Sequence, residues 1–149
     1  MPMHAPDLTQ RPPRSPRVRL GGYVTLPRVL DKGRALITGK PGEYNYNCPL
    51  DQRILSFVGI DAEKLKEQLA QGKGDGEILE WIEANAQHRH SPEAIAAWSQ
   101  FQEQRTAADV ESRQFLQDYQ TKAAPQRKDI STWFEMLDVD DHVTFGGKA

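Results

Sequence analysis

The residues whose types could do chemistry crowd into one stretch, Arg28 to Asp51. Cys48 is the only cysteine of the chain and precedes Pro49, which suits the first turn of a helix. A thiol at a helix N-terminus meets the positive end of the peptide dipoles, which favours the thiolate and so a nucleophile. Asp51 argues the other way. As the third helical residue it reaches back toward the cap, and its charge opposes a neighbouring anion. No histidine lies close in sequence to act as a base. Cys48 and Asp51 are therefore the candidates for nucleophilic or acid–base catalysis, with a buried or capping cysteine as the plainer alternative.

Tyr44, Asn45, Tyr46 and Asn47 precede them. Phenols and amides in a short extended segment can line a pocket for a polar ligand. Arg28, Lys32 and Arg34 lie just upstream, and Arg28 and Lys32, four apart, share a face of any helix there. Together Arg28, Lys32, Arg34, Tyr44, Tyr46 and Asn47 outline a site for a small polar or anionic ligand. The alternative is that the tyrosines cap the core and the asparagines satisfy turn backbone.

Two further patterns carry less. His88-Arg89-His90 has the alternation that chelates a metal on an extended loop, but a third ligand is missing unless Asp138–His142 folds back. It reads as a solvated connector, and no metal or other cofactor is expected. Gly72-Lys73-Gly74-Asp75-Gly76 lacks the phosphate-binding Lys-Ser/Thr ending and follows a helix rather than a strand, so it reads as a helix–helix turn with Asp75 or Gly76 as the next cap.

The elements that must position these residues are helical. Thr25 and Pro27 open a first helix with Val29, Leu30, Gly33, Leu36 and Ile37 as its stripe, stopped by Gly39 and Pro41. Pro49 opens a second to about Val58, closed by Gly59. Asp61 caps a third, and the glycine-rich turn leads to a fourth over Glu77–Ala86. Ser91-Pro92-Glu93 is the clearest start, with cap, first-turn proline and first-turn acid in order. From there no glycine or proline interrupts the chain to Lys122, which predicts one long helix near 91–122, about 45 Å in length. Ser131–Leu137 forms a last short helix. Gly42–Asn47 and Val143–Phe145 are the only strand-like pieces, and a pairing between them is the expected exception to an all-helical fold.

The fold class is thus mainly α: a compact single-domain bundle of about five to six helices over 21–142. Residues 1–20, rich in Pro and Arg, form an irregular extended arm, and residues 143–149 a frayed tail. One domain suits 149 residues. The net charge of −2 hides a split, since residues 1–40 carry +6 and the remainder −8. A basic arm can serve a polyanion, but the pI near 6.1 and the lack of any nucleic-acid module make nucleic acid an improbable partner. No apolar run is long enough to cross a membrane. With one cysteine and no apolar leader in Met1–Leu20, the expected location is cytoplasmic.

Leu26-Pro27-Arg28-Val29-Leu30-Asp31-Lys32-Gly33-Arg34-Ala35, Tyr44-Asn45-Tyr46-Asn47-Cys48-Pro49-Leu50-Asp51 and Gly72-Lys73-Gly74-Asp75-Gly76 together resemble the bacterial domain-of-unknown-function family numbered five thousand and sixty-nine. The likeness is best from Asp7 to Trp81. It implies a small bacterial cytoplasmic protein and brings no reaction, cofactor or catalytic residue with it. Three functions remain in view. The first is a binding or accessory protein with its site at the Tyr-Asn-Cys loop. The second is a small enzyme using Cys48 or a neighbouring Tyr or Asp. The third is an interaction module that forms a homo-oligomer, or meets another protein, through the 91–122 helix.

Overall fold

Seven helices and one hairpin make up the regular structure of residues 4–148, the residues described by the computed structural model. Met1–Met3 of the arm and Ala149 of the tail lie outside them. In chain order the elements are β1 (Arg19–Leu20), β2 (Tyr23–Val24), α1 (Leu26–Ile37), α2 (Pro49–Val58), α3 (Ala62–Ala70), α4 (Asp75–Asn85), α5 (Pro92–Gln104), α6 (Val110–Ala123) and α7 (Trp133–Thr144). The mainly helical class holds, with seven helices instead of five or six. No helix among the described residues is long and apolar enough to cross a membrane.

α1 is the axis of the molecule. Every residue from Leu26 to Ala35 is buried, polar ones included. Leu26, Val29 and Leu30 join Ile54, Leu55 and Val58 of α2, Leu65 and Leu69 of α3, and Ile78 and Ile82 of α4 in the main core. Gly33 permits the close approach of α3, because a Cβ there would stand 2.6 Å from Leu69 Cδ1 and 3.1 Å from the Tyr46 ring. Leu36, expected on the inner stripe, is instead 41% exposed. A second, smaller cluster of Ala124, Ile130 and Val139 joins α7 to the end of α6.

The single helix expected over 91–122 is two helices. α5 ends at Gln104, Arg105 turns to extended backbone, and the chain spends residues 105–109 on another partner. Thr106 bridges Thr132, and Trp133 N–H donates to the Arg105 carbonyl at 3.1 Å. α6 then starts afresh where the Asp109 carboxylate accepts from Ser112 N–H at 2.7 Å. Backbone bonds to the 131–133 segment replace those a continuous helix would have made there. The last helix is longer than expected. Thr132 and Glu135 form a reciprocal capping box, and α7 runs from there past residue 142 to Thr144.

The expected pairing of Gly42–Asn47 with Val143–Phe145 does not occur: Val143 and Thr144 are helical and 42–47 is loop. The strands lie at the arm's end. Arg19 pairs with Val24 and Leu20 with Tyr23, around a Gly21-Gly22 turn whose two φ angles are +61° and +87°. That is the two-residue turn whose twist suits a hairpin, and only glycine takes both positions without strain. The arm itself lies along the body. Leu8, Pro13 and Pro16 are buried, Leu8 N–H donates to the Lys40 carbonyl, and Thr25 N–H to that of Pro16.

Candidate functional site

The six residues expected to line a ligand site all lie on or against α1, but in three separate clusters. In the first, the Arg28 guanidinium donates to both Asp141 oxygens at 2.7 and 3.1 Å, with both side chains more than nine-tenths buried. Tyr44 lies beside it. Its hydroxyl donates to Asp141 Oδ1 at 2.9 Å and its ring faces the guanidinium at 5.5 Å. Burial, reinforced by Asp141, pushes the Tyr44 phenol well above its ordinary value, so it stays a protonated donor.

The second cluster holds Lys32, Asn47, Cys48 and Asp51. Cys48 is the N-cap of α2, and its side chain makes no capping bond. Asp51 bonds outside the first turn: one oxygen accepts from Asn47 N–H at 2.9 Å, the other from Lys32 Nζ at 2.8 Å. Lys32 Nζ also lies 3.4 Å from Cys48 Sγ. Asp51 is fully buried and the Lys32 side chain is 5% exposed. Asn47 holds a left-handed φ of +63°, and its side-chain oxygen accepts from Gln52. Tyr46 turns away under Gly33 and donates to the Ala62 carbonyl at 2.7 Å. Burial, then the charge of Asp51, raises its phenol too.

The third cluster ties the arm to the glycine-rich turn. Gly74, one residue earlier than expected, is the N-cap of α4, so Asp75 stands free to pair with Arg34 and Arg14, each at 2.8 Å. Arg14 also grips Asp31 at 3.0 Å. For Asp75, burial raises the pKa, but the hydrogen bonds from Arg14 and Arg34 outweigh it and hold the carboxyl below its usual value. A depressed carboxylate adds stability that is complete above the unfolded value near pH 4 and is lost as pH falls through the folded one. Melting temperatures taken from pH 5 to 2 should therefore fall below about pH 4, and Asp75→Asn should flatten that fall.

Each cation expected to meet an anionic ligand thus meets a carboxylate of the chain itself. The signal in the sequence was real as a density of charge, but the partners Asp141 and Asp75 lie 113 and 41 residues away.

A cavity lies elsewhere, between the hairpin turn, α4, the 86–91 loop and α5. It measures about 420 Å³ and is lined mainly by Gly21, Gly22, Tyr23, Ile82, Ala86, Ile95 and Ala96, with Glu83, His88, Arg89 and His90 as its polar members. Its best-placed polar group is Tyr23. The residue is only 6% exposed. Its ring packs edge-on against Phe57 and Trp98 at 6.2 and 6.4 Å, and among the described residues its hydroxyl has no partner. No fully buried side-chain oxygen among the described residues is left without a hydrogen bond, so the Tyr23 hydroxyl keeps some accessible surface. Burial, then the Glu83 carboxylate, raises the phenol, and it stays a donor.

The walls are cross-linked by hydrogen bonds and ring stacking. Ser99, fully buried on α5, accepts from Val24 N–H at 3.1 Å and donates to the Gly22 carbonyl at 2.6 Å, fixing the hairpin to the helix. His90 stacks on Phe57 at 3.8 Å, and Phe57 on Trp98 at 4.8 Å. His90 Nε2 lies 2.7 Å from the Phe57 carbonyl, which only accepts, so Nε2 carries a proton and donates it. His88 and His90 therefore belong to the cavity, and Asp138–Asp141 to α7. No group of three His, Cys, Asp or Glu side chains within reach of one metal exists among the described residues. Sequence reasoning passed over Tyr23 and Glu83. The clue for Tyr23 is Leu20-Gly21-Gly22-Tyr23, which has the form of a two-residue hairpin turn.

Residues 10–143 match the model of a family described as a domain of unknown function, DUF5069. No curated protein matches the chain.

Proposed function

The chain belongs to the DUF5069 family, and we propose that it is a small-molecule-binding protein whose ligand enters the Tyr23 cavity. The observation that carries this is a phenol nine-tenths buried, kept protonated, and left without a protein partner beside a mostly apolar space. A donor with no protein partner and open access is free to bond an acceptor on a ligand in place of water. A cavity of this size falls in the range that encloses most of a small ligand. The complementary molecule is neutral, has a flat or compact apolar body, and offers a hydrogen-bond acceptor to Tyr23. Glu83 and Arg89 both line the cavity, so a ligand of either net charge meets one like charge there.

An anion site at Arg28, Lys32 and Arg34 has less behind it, since a ligand would have to displace a carboxylate already held at 2.7–2.8 Å from each. Catalysis by Cys48 has the nearby Lys32 amine in its favour, but that amine is already paired with the buried Asp51.

Three probes of one size test the cavity by NMR: benzamide, benzoate and benzylammonium. Benzamide should move the signals of Tyr23, Ile82 and Ile95 with a dissociation constant on the order of 1 mM, as suits nine heavy atoms. Benzoate and benzylammonium should bind more weakly. Tyr23→Phe should weaken benzamide by about 2- to 12-fold, the worth of one hydrogen bond. No benzamide shifts at these residues up to saturation, or tighter binding of benzoate, would overturn the reading.

A further inference from the structure

Val18 and Leu36 apart, the large apolar side chains left exposed among the described residues lie on two consecutive helices. Phe101, Val110 and Phe115 are 60%, 83% and 59% exposed, and all three lie on α5 and α6. Phe115 is tilted against Trp133 at 6.4 Å, and Phe101 and Trp133 line one shallow depression with Ala108. An aromatic strip therefore runs from α5 across the start of α7 to α6. Exposed aromatic groups in a row are what buried interface centres are made of.

The occupant is indicated by charge. On α6 the residues sharing the Phe115 face include Glu111, Asp118 and Lys122, spaced four before and three and seven after, and all are exposed. The stripe thus begins with an acid, ends with a base and carries its aromatic near the middle. A second α6 laid antiparallel sets Glu111 against Lys122 of the copy, twice over, with the two Phe115 rings offset by about one helical turn or less along the axis. A parallel copy would set Glu111 on Glu111. We propose that this face pairs two copies of the chain, α6 against α6 in antiparallel register, with Phe101 and Trp133 extending the apolar contact on each side. A contact of a patch with itself is the commonest closed symmetry, in which each pairing occurs twice.

The cavity at Tyr23 takes no part in this face, so failure of one leaves the other standing. Sedimentation equilibrium of the full chain over about 10–500 µM should show a monomer–dimer equilibrium. Phe115→Ser should weaken it at least about tenfold. Glu111→Lys should weaken it about tenfold through two like-charge contacts, and Glu111→Lys with Lys122→Glu should restore it to within about threefold. These positions are exposed, and circular dichroism should report unchanged helix content in all three variants. A wild-type monomer throughout the range overturns the proposal. So does a dimer indifferent to Phe115→Ser, or a charge exchange that fails to restore pairing.

Discussion

Lys32→Met should destabilise the protein by about 3–5 kcal/mol, although methionine fills much of the same space. The loss comes from Asp51. Its carboxylate is fully buried, and without the ammonium at 2.8 Å only the Asn47 N–H remains to compensate its charge. A buried charge deprived of its partner costs more than the pair contributed. The control is Lys32→Met with Asp51→Asn. Asparagine keeps a carbonyl for Asn47 N–H and removes the charge, so the double variant should recover about 1–2 kcal/mol of the loss. Urea denaturation of the three proteins decides the matter. A double variant no more stable than Lys32→Met would show that packing, and not the stranded charge, sets the cost.

The second large effect belongs to Arg28→Met, again about 3–5 kcal/mol, but with a different signature. Arg28 and Asp141 are the buried link between α1 and α7, and Tyr44 alone would be left on the carboxylate. The rest of α7 is held by the fully buried Phe134, by a small apolar cluster with α6, by the Tyr119 hydroxyl donating to Asp140 at 2.6 Å, and by Arg17 and Ser15 of the arm, which meet Asp138 at 2.9 and 2.7 Å. Hydrogen exchange should therefore accelerate in α7 before it does in the α1–α4 core. Uniform acceleration across both would refute a local clasp and leave a purely global role for the pair.

Both predictions turn on contacts that no local pattern announces, and this divides what was legible in the sequence from what was not. Helix starts written in adjacent residues were read directly: Asp61 for α3, Pro49 for α2, and Ser91-Pro92 for α5. Helix length was misread where tertiary bonds compete. Nothing between Arg105 and Asp109 forbids a helix, yet Thr106 finds Thr132 across the fold. The caps at Asp109–Ser112 and Thr132–Glu135 were available as signals, at the capping spacing, and mark both true starts. The cluster of Arg, Tyr and Asn in 28–47 was visible as more polarity than packing needs. Its use was not visible, because the carboxylates that close it come from α2, α4 and α7. Tyr23 was overlooked for the opposite reason, since one phenol between two glycines and a valine carries no density at all.

The clasp between Arg28 and Asp141 also sets a schedule. The two residues are 113 positions apart, so a ribosome adding about 5–20 residues per second makes Arg28 wait roughly 6–20 s for its counter-ion. Through that interval α1 can gather α2, α3 and α4 around its apolar side while the guanidinium stays in water. The nascent chain is thus expected to carry a half-finished seam along its central helix, sealed only when the last helix clears the exit tunnel.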